Sequence, residues 1–409
     1  MRALILNIGN EVLSGKVVNT NSSILAKELN KIGIITEKVV VVGDDEELIN
    51  KEINDFKQSN LDILITTGGL GPTHDDLTKE VLSKNLNLRL ELDDDSLSHL
   101  QDYFDDSMSQ SNLKQAYFPK EAIIIPNHLG TANGAIIPLN QKFYIILVGP
   151  PQEMIPMVNE TVIPYLKSIS KVELISQEYI VMGNGESYFE DFLSVLMKTF
   201  PRVSLAPYAS VGKIRYQITA KNEDEKDFKL FINEFERLMA DYIISKDNEE
   251  IEEVVVKLLK ENNYTISFAE SCTGGMLASR IINVSGASRV INESFVTYSN
   301  DAKIKYLNVS ADTINRYGVV SDQVVIEMAT GLQKISKANL AVSVSGIAGP
   351  TGGSVAKPVG LVHYAIMIND KLFVESKVFK GNREMIRTRT TLWVLYRIYY
   401  HLLKNDKKR

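Results

Sequence analysis

At 409 residues the chain is too long for one ordinary hydrophobic core, and two or three domains are expected. Hydrophobic residues make up 44% and charged residues 23%, the balance of a soluble globular protein, and no apolar run is long enough to cross a bilayer. The formal net charge of −6 offers no footprint for sequence-independent nucleic-acid binding, and the Lys407-Lys408-Arg409 run reads as a solvated terminus.

Cys272 is the only cysteine, so no intrachain disulfide can form and a reducing compartment suits the chain. Met1 leads directly into an apolar run with no charged leader or cleavage site. A cytoplasmic protein with no membrane partner is expected.

A first domain is expected over residues 1–169. Ala3 to Ile8 is continuously apolar, as in a parallel strand covered on both faces. Thr20 to Ile32 reads as a helix with Leu25, Leu29 and Ile32 on one face and Gly33 as its stop. Lys38 to Val42 is a second strand, and Leu48, Ile49, Ile53 and Phe56 stripe a second helix. Leu61 to Thr66 is a third strand, and Val81, Leu82 and Leu86 mark the helix after it. The alternation predicts a doubly wound α/β domain with a mainly parallel sheet.

Ligands of such sheets lie beyond the carboxyl ends of the strands. The stretch Gly68-Gly69-Leu70-Gly71-Pro72-Thr73-His74-Asp75-Asp76 falls there. Its glycines let backbone N–H groups approach an anion, and Thr73 is placed to cap the next helix. Asp75 and Asp76 suit Mg²⁺ or a similar ion bridging phosphates, or else simply complement the dipole of a helix over 75–86. Glu11, the Asn19-Thr20-Asn21 cluster and Gly149-Pro150-Pro151-Gln152-Glu153 follow other strands of the same layer.

Residues 170–247 read as a small α+β domain. Val172 to Val181, Val203 to Ala206 and Lys213 to Ala220 are strand-like. Phe189, Phe192, Leu193 and Leu196, then Phe228, Phe231, Ile232, Phe235 and Leu238, stripe two helices. Gly183-Asn184-Gly185-Glu186 carries an acid and has the wrong spacing for a nucleic-acid-binding Gly-x-x-Gly loop, so a spacer or dimerisation element is expected. The charged stretch Asp247 to Glu250 marks the boundary to a third domain over 248–409.

In that domain the strand Tyr264 to Phe268 runs into Ala269-Glu270-Ser271-Cys272-Thr273-Gly274-Gly275, where a helix begins. Ser271 therefore sits at a helix N-terminus, whose free N–H groups suit an anion or oxyanion; Ser271 or Thr273 as a plain helix cap is the alternative. Tyr298-Ser299-Asn300-Asp301-Ala302-Lys303 turns into another helix. Ser345 to Gly353 forms a second Gly-rich loop at the end of the strand Leu340 to Val344. No Ser–His–Asp arrangement is legible, since His363 lies in an apolar strand and His401 in the last helix. Lys303 is the better base for Ser271, provided burial lowers its pKa, with Tyr298 as relay and the N–H groups of Cys272 to Gly274 as oxyanion hole. Cys272 is the rival nucleophile.

These motifs carry a family resemblance. Ile8 to Gly15, Asn19 to Asn21, Thr66 to Asp76 and Gly149 to Met154 resemble the molybdopterin-binding-like domain of the CinA (competence/damage-inducible) family. Ala269 to Gly275, Val296 to Lys303, Ser345 to Pro350 and Lys357 to Gly360 resemble its C-terminal domain, and the middle segment is similar to its KH-type module. For the first domain the resemblance implies a pyrophosphatase cleaving ADP-ribose to AMP and ribose 5-phosphate with a divalent metal (Mg, Mn or Co). Asp75 and Asp76 would hold the metal. Gly68, Gly69 and Gly71 would cradle phosphate, with Glu11, Asn19, Asn21, Thr73 and Glu153 around the nucleotide.

For the third domain the resemblance implies a metal-free deamidase converting nicotinamide mononucleotide to nicotinate mononucleotide and ammonia. Ser271 would be the nucleophile, Lys303 the base and Tyr298 its helper, with Thr273, Gly274, Gly346 and Gly349 lining the substrate. Ser345 stands where the family usually has Thr. Arg387 matches a late basic position, with Arg383 and Arg389 as close competitors. A homodimer is expected, and a non-catalytic nucleotide- or pterin-binding protein linked to competence or DNA damage is the rival reading.

Overall fold

The computed structural model describes residues 1–170 and 174–406; the Lys407-Lys408-Arg409 run and the start of the strand expected from Val172 lie outside them. The chain forms two compact units, Met1–Ile175 with Lys221–Glu223, and Ser176–Ala220 with Asp224–Arg409. Among the described residues no helix is long and apolar enough to cross a membrane.

In the first unit, strands β1 (Arg2–Ile8), β2 (Ile35–Val42) and β3 (Ile63–Thr67) are followed by β4 (Leu90–Leu92) and β5 (Tyr117–Pro119), a separate antiparallel pair. Strands β6 (Ile123–Ile125), β7 (Gly134–Leu139) and β8 (Lys142–Leu147) complete a main sheet of order β2-β1-β3-β8-β7-β6. Its β2-β1-β3-β8 portion is parallel, while β7 and β6 add an antiparallel edge that the sequence pattern did not reveal. Both faces are covered, which explains the unbroken apolar run of β1. Ala3 and Ile5 join a core with Leu25, Leu29 and Met154, whereas Leu4, Leu6 and Ile8 join another with Ile49, Ile53 and Phe56.

The second unit holds two sheets. Strands β9 (Leu174–Val181), β10 (Ser204–Ser210), β11 (Lys213–Lys221) and β12 (Ile243–Ser245) form one of order β10-β11-β9-β12, carrying helices Glu186–Thr199 and Glu225–Met239. Strands β13 (Ile266–Glu270), β14 (Phe295–Val296), β15 (Leu340–Gly346), β16 (Leu361–Ile368) and β17 (Lys371–Val378) form the other, of order β14-β13-β15-β16-β17. Here β14, β13 and β15 are parallel and the last two antiparallel. Phe268, Val342 and Val344 pack toward helices Ile251–Glu261 and Arg383–Asp406, while Ala269 and Ala341 face helix Asp322–Ser336.

The stretch Asp247 to Glu250, expected as a boundary, does not break the packing. Ile180, Met182 and Ile244 of the middle sheet share one core with Val254, Leu395 and Tyr396. Glu250 also pairs with the Lys213 ammonium of β11.

Candidate active sites

Strand β13 ends at Glu270, and the Ser271 N–H continues its ladder by donating to the Val344 carbonyl at 3.0 Å. Ser271 is therefore the first residue past the strand, buried to 8% exposure. The chain then turns through Gly274 (φ 61°) and Gly275 (φ 92°) before helix Met276–Ile282, a left-handed pair that glycine adopts without strain.

The helix N-terminus is not free, as the sequence reading had it. The buried Glu270 carboxylate accepts from the N–H groups of Gly275 (2.9 Å), Leu277 (3.1 Å) and Ala278 (2.9 Å). The Gly274 N–H donates to the Ser271 carbonyl, which removes it from the expected oxyanion hole. Neither Ser271 nor Thr273 caps this helix. An acid placed just ahead of a helix entry was the available signal for this arrangement.

Lys303 lies on helix Asn300–Leu307, whose first turn is capped by the Ser299 hydroxyl on the Ala302 N–H. Its side chain is fully buried, with Nζ 3.2 Å from Ser271 Oγ, 2.8 Å from the Thr297 carbonyl and 3.2 Å from the Tyr298 carbonyl. Among the described residues no carboxylate is within ion-pair distance, and burial lowers its pKa to about 8. As an ammonium it donates to all three oxygens. As a neutral amine it has two N–H groups for the two carbonyls and a lone pair left for the Ser271 hydroxyl.

Burial pushes the Cys272 thiol in the opposite direction, up to about 12, so the rival nucleophile is held as an unreactive thiol. Tyr298 contributes its carbonyl to Lys303. Its phenol is mostly exposed and accepts from Arg383 Nη2 at 3.0 Å, so the expected relay through the ring does not form. Ser345 is also placed elsewhere, its buried hydroxyl donating to the Val319 carbonyl at 2.8 Å. Gly346 serves close packing, since a Cβ there would lie 2.7 Å from Val362 and 3.0 Å from Cys272 Sγ.

The three late arginines separate cleanly. Arg387 donates from Nε to the Cys272 carbonyl (3.1 Å) and from Nη2 to the Thr273 carbonyl (2.8 Å), pinning the turn after Ser271 and crowding Gly274. Arg383 donates to the Gly349 carbonyl at 2.8 Å as well as to the Tyr298 phenol, and so links the second Gly-rich loop to the turn before helix Asn300–Leu307 at the surface. Arg389 binds the Lys380 carbonyl instead. Thr273 is fully buried and its hydroxyl has no partner, as is true of its neighbour Thr297.

In the first unit the Gly68–Gly71 turn packs onto the carboxyl end of β1. A Cβ on Gly68 (φ 103°) would lie 2.1 Å from the Ile8 carbonyl oxygen, and one on Gly69 2.2 Å from Thr78 Oγ1. Thr73 does not cap the following helix, which starts at Thr78; its hydroxyl faces Asp75 Oδ1 (2.5 Å) and Asp76 Oδ2 (2.6 Å). That bond holds the exposed Asp75 carboxyl below the usual range. The Lys114 ammonium, which sequence reasoning missed, closes the loop from behind on the Thr73 and Asp76 carbonyls.

The other residues expected here play mixed parts. Asn21 donates to Thr67 Oγ1 (2.9 Å) and the Gly149 carbonyl (2.7 Å), tying its helix to the ends of β3 and β8, and leaves its buried Oδ1 unpartnered. Asn19 is the N-cap of helix Thr20–Lys31, which accounts for its side chain without a ligand. Glu153 accepts from Asn127 Nδ2 at 2.8 Å, and Glu11 is exposed on the short helix Asn10–Leu13. Among the described residues there is no cluster of three or more acid, histidine or cysteine ligands. The Asp75–Asp76 pair has the chemistry of a Mg²⁺-type site, in which one or two carboxylates share the ion with waters and substrate phosphate.

Two doubly covered α/β layers, each with a loop site beyond its strand ends, define a two-domain protein with a molybdopterin-binding-like N-terminal half. Residues 4–168 match the family described as "Probable molybdopterin binding domain", and residues 248–402 the "CinA C-terminal domain". A relative from Clostridium perfringens (strain SM101 / Type A) carrying the competence-damage inducible name is 44% identical over 415 residues, covering 99% of this chain and 100% of its own. A "CinA-like protein" of Kosmotoga olearia is 40% identical over 403 residues, 97% of each chain. The crystal structure of competence/damage inducible protein CihA from Agrobacterium tumefaciens is 39% identical, covering 36% of this chain and 93% of that one, with a TM-score of 0.35. The chain belongs to the CinA family.

Proposed function

We propose that the second unit hydrolyses the carboxamide of nicotinamide mononucleotide, with Ser271 as nucleophile and Lys303 as base. The observation that carries this reading is a buried amine with no acid partner among the described residues, 3.2 Å from the Ser271 hydroxyl. Neutral Lys303 takes the hydroxyl proton as Oγ attacks the amide carbon, and the same proton leaves on ammonia as the C–N bond breaks. Water then cleaves the acyl-serine ester with Lys303 again as base, giving the free carboxylate. Arg387 holds the Ser271 turn in place, and Arg383 at the mouth is the better partner for the substrate phosphate.

For the first unit the proposal is hydrolysis of the ADP-ribose pyrophosphate to AMP and ribose 5-phosphate. Asp75 and Asp76 would hold a divalent ion that neutralises charge on the departing phosphate. The Gly68–Gly71 turn, packed closely on Ile8, Thr78 and Asp76, would meet the phosphates through backbone N–H groups.

The deciding experiment measures ammonia release from nicotinamide mononucleotide by the full chain and by Ser271→Ala, Lys303→Ala and Cys272→Ala. Loss in the first two with retention in the third supports the reading. Loss in Cys272→Ala alone, or no ammonia from the parent chain, overturns it and leaves a binding protein.

A further inference from the structure

The turn Gly183-Asn184-Gly185-Glu186 is absorbed by neither proposed activity, yet it lines a cavity of about 360 Å³ within the second unit. Opposite it are Lys377 and Phe379 at the end of β17, and Arg389 and Trp393 on helix Arg383–Asp406. The hairpin between β10 and β11 closes a third side, where Lys213 is already occupied by Glu250.

Charge is distributed unevenly around this space. Among the described residues, neither Lys377 nor Arg389 has a carboxylate within ion-pair distance, in a chain whose net charge is −6. The Lys377 ammonium rests 3.1 Å from the centre of the Trp393 ring, and Arg389 has only the Lys380 carbonyl. Burial and the neighbouring Arg397 guanidinium both disfavour the Lys377 charge, while Glu375, which eases it, is held by Arg397, Tyr364 and His401. The remaining acid on the lining is Glu186. Helix Glu186–Thr199 also opens here, with Gly185 as an N-cap that has no side-chain bond and open space where a Cβ would stand. Two cations without an acid partner among the described residues and the first-turn N–H groups of Glu186 and Ser187 thus converge on one cavity, while the Tyr188 N–H is taken by the Gly185 carbonyl. This donor set is matched to a dianion with several acceptor oxygens.

We infer that this cavity is a second anion site that binds a phosphorylated small molecule through Lys377, Arg389 and the first turn of helix Glu186–Thr199. One face of the Trp393 ring is covered by Lys377, so the phosphate rather than a stacked base supplies recognition. The site stands apart from the Ser271 turn and does not depend on the deamidase reading.

Trp393 is the only tryptophan in the chain and reports on this cavity directly. The full-length protein, in metal-free buffer, is titrated with inorganic pyrophosphate and separately with AMP, and Trp393 emission is compared with a chloride titration of equal ionic strength. A saturable change with either phosphate, kept in Ser271→Ala and weakened about tenfold or more in Arg389→Gln, supports the site. Pyrophosphate and AMP acting equally assigns recognition to phosphate alone, while a response to AMP only assigns part of it to the nucleoside. No saturable change, the same change with chloride, or full binding in Arg389→Gln overturns the site. Because Lys377→Gln alters the resting emission, its affinity is read by equilibrium dialysis with pyrophosphate, and wild-type affinity there also overturns it. Thermal melts matching the parent chain establish that the variants are folded.

Discussion

Glu270 and Ala278 are eight residues apart and joined by a 2.9 Å bond from the Ala278 N–H to the carboxylate, the outermost of three such bonds that seat helix Met276–Ile282 on β13. Glu270→Ala is expected to cost about 2–4 kcal/mol, because three buried N–H groups lose a charged acceptor together. Urea unfolding measures it, and a change within experimental scatter would show that the cap is not what holds the turn.

Lys303 sets the pH dependence of the proposed deamidase. A base must be neutral to act, and its pKa is lowered to about 8, so kcat/KM should rise with pH and level off above about 8. Lys303→Arg should be inactive throughout, by roughly 10²–10⁴-fold, since a guanidinium does not lose its proton in this range. A flat or falling profile from about pH 6 to about pH 9 would assign proton transfer to another group.

The layers were legible from the sequence because strands covered on both faces carry apolar runs, as residues 3–6 of β1 and 63–65 of β3 do. Strand β6 was not, at three residues, and β7 opens on Gly134 and carries Pro138, both of which weaken a strand signal. Ser271 and Lys303 stood out by their motifs, but the direction of a side chain is decided by packing. Nothing in the local sequence tells that Ser345 turns to Val319, whereas Asn19 directly before helix Thr20–Lys31 carried a legible N-cap signal. Arg383 and Tyr298 are 85 residues apart, so only the folded sheet and its covering helix bring them together.

The two arginines at the Ser271 site should separate kinetically. Arg383 is exposed and reaches the Gly349 loop and the Tyr298 phenol, so Arg383→Ala should raise KM for nicotinamide mononucleotide about 10–100-fold with a smaller effect on kcat, the loss of one charged contact to phosphate. Arg387 binds the carbonyls after Ser271, so Arg387→Ala should lower kcat and also stability, the latter by about 1–3 kcal/mol. Steady-state ammonia release with parallel unfolding curves distinguishes them. If Arg387→Ala raises KM alone and unfolds like the parent, the assignments are reversed.

Thr73 has one hydroxyl proton for two acceptors, Asp75 Oδ1 and Asp76 Oδ2, and thereby holds the two carboxyl groups side by side. Lys114 supports the same loop from its carbonyl side. If the pair carries a divalent ion, Asp75→Asn/Asp76→Asn should abolish Mn²⁺ binding read by electron paramagnetic resonance, and AMP production from ADP-ribose should vanish with it and with chelation. Thr73→Val keeps both acids but frees them to move apart, so Mn²⁺ affinity should fall by about tenfold, one charge-assisted bond's worth of orientation. The two readouts must fall together. AMP production that survives chelation, or Mn²⁺ binding that survives loss of both acids, would place the ion elsewhere and leave the Gly68–Asp76 loop as a phosphate cradle alone.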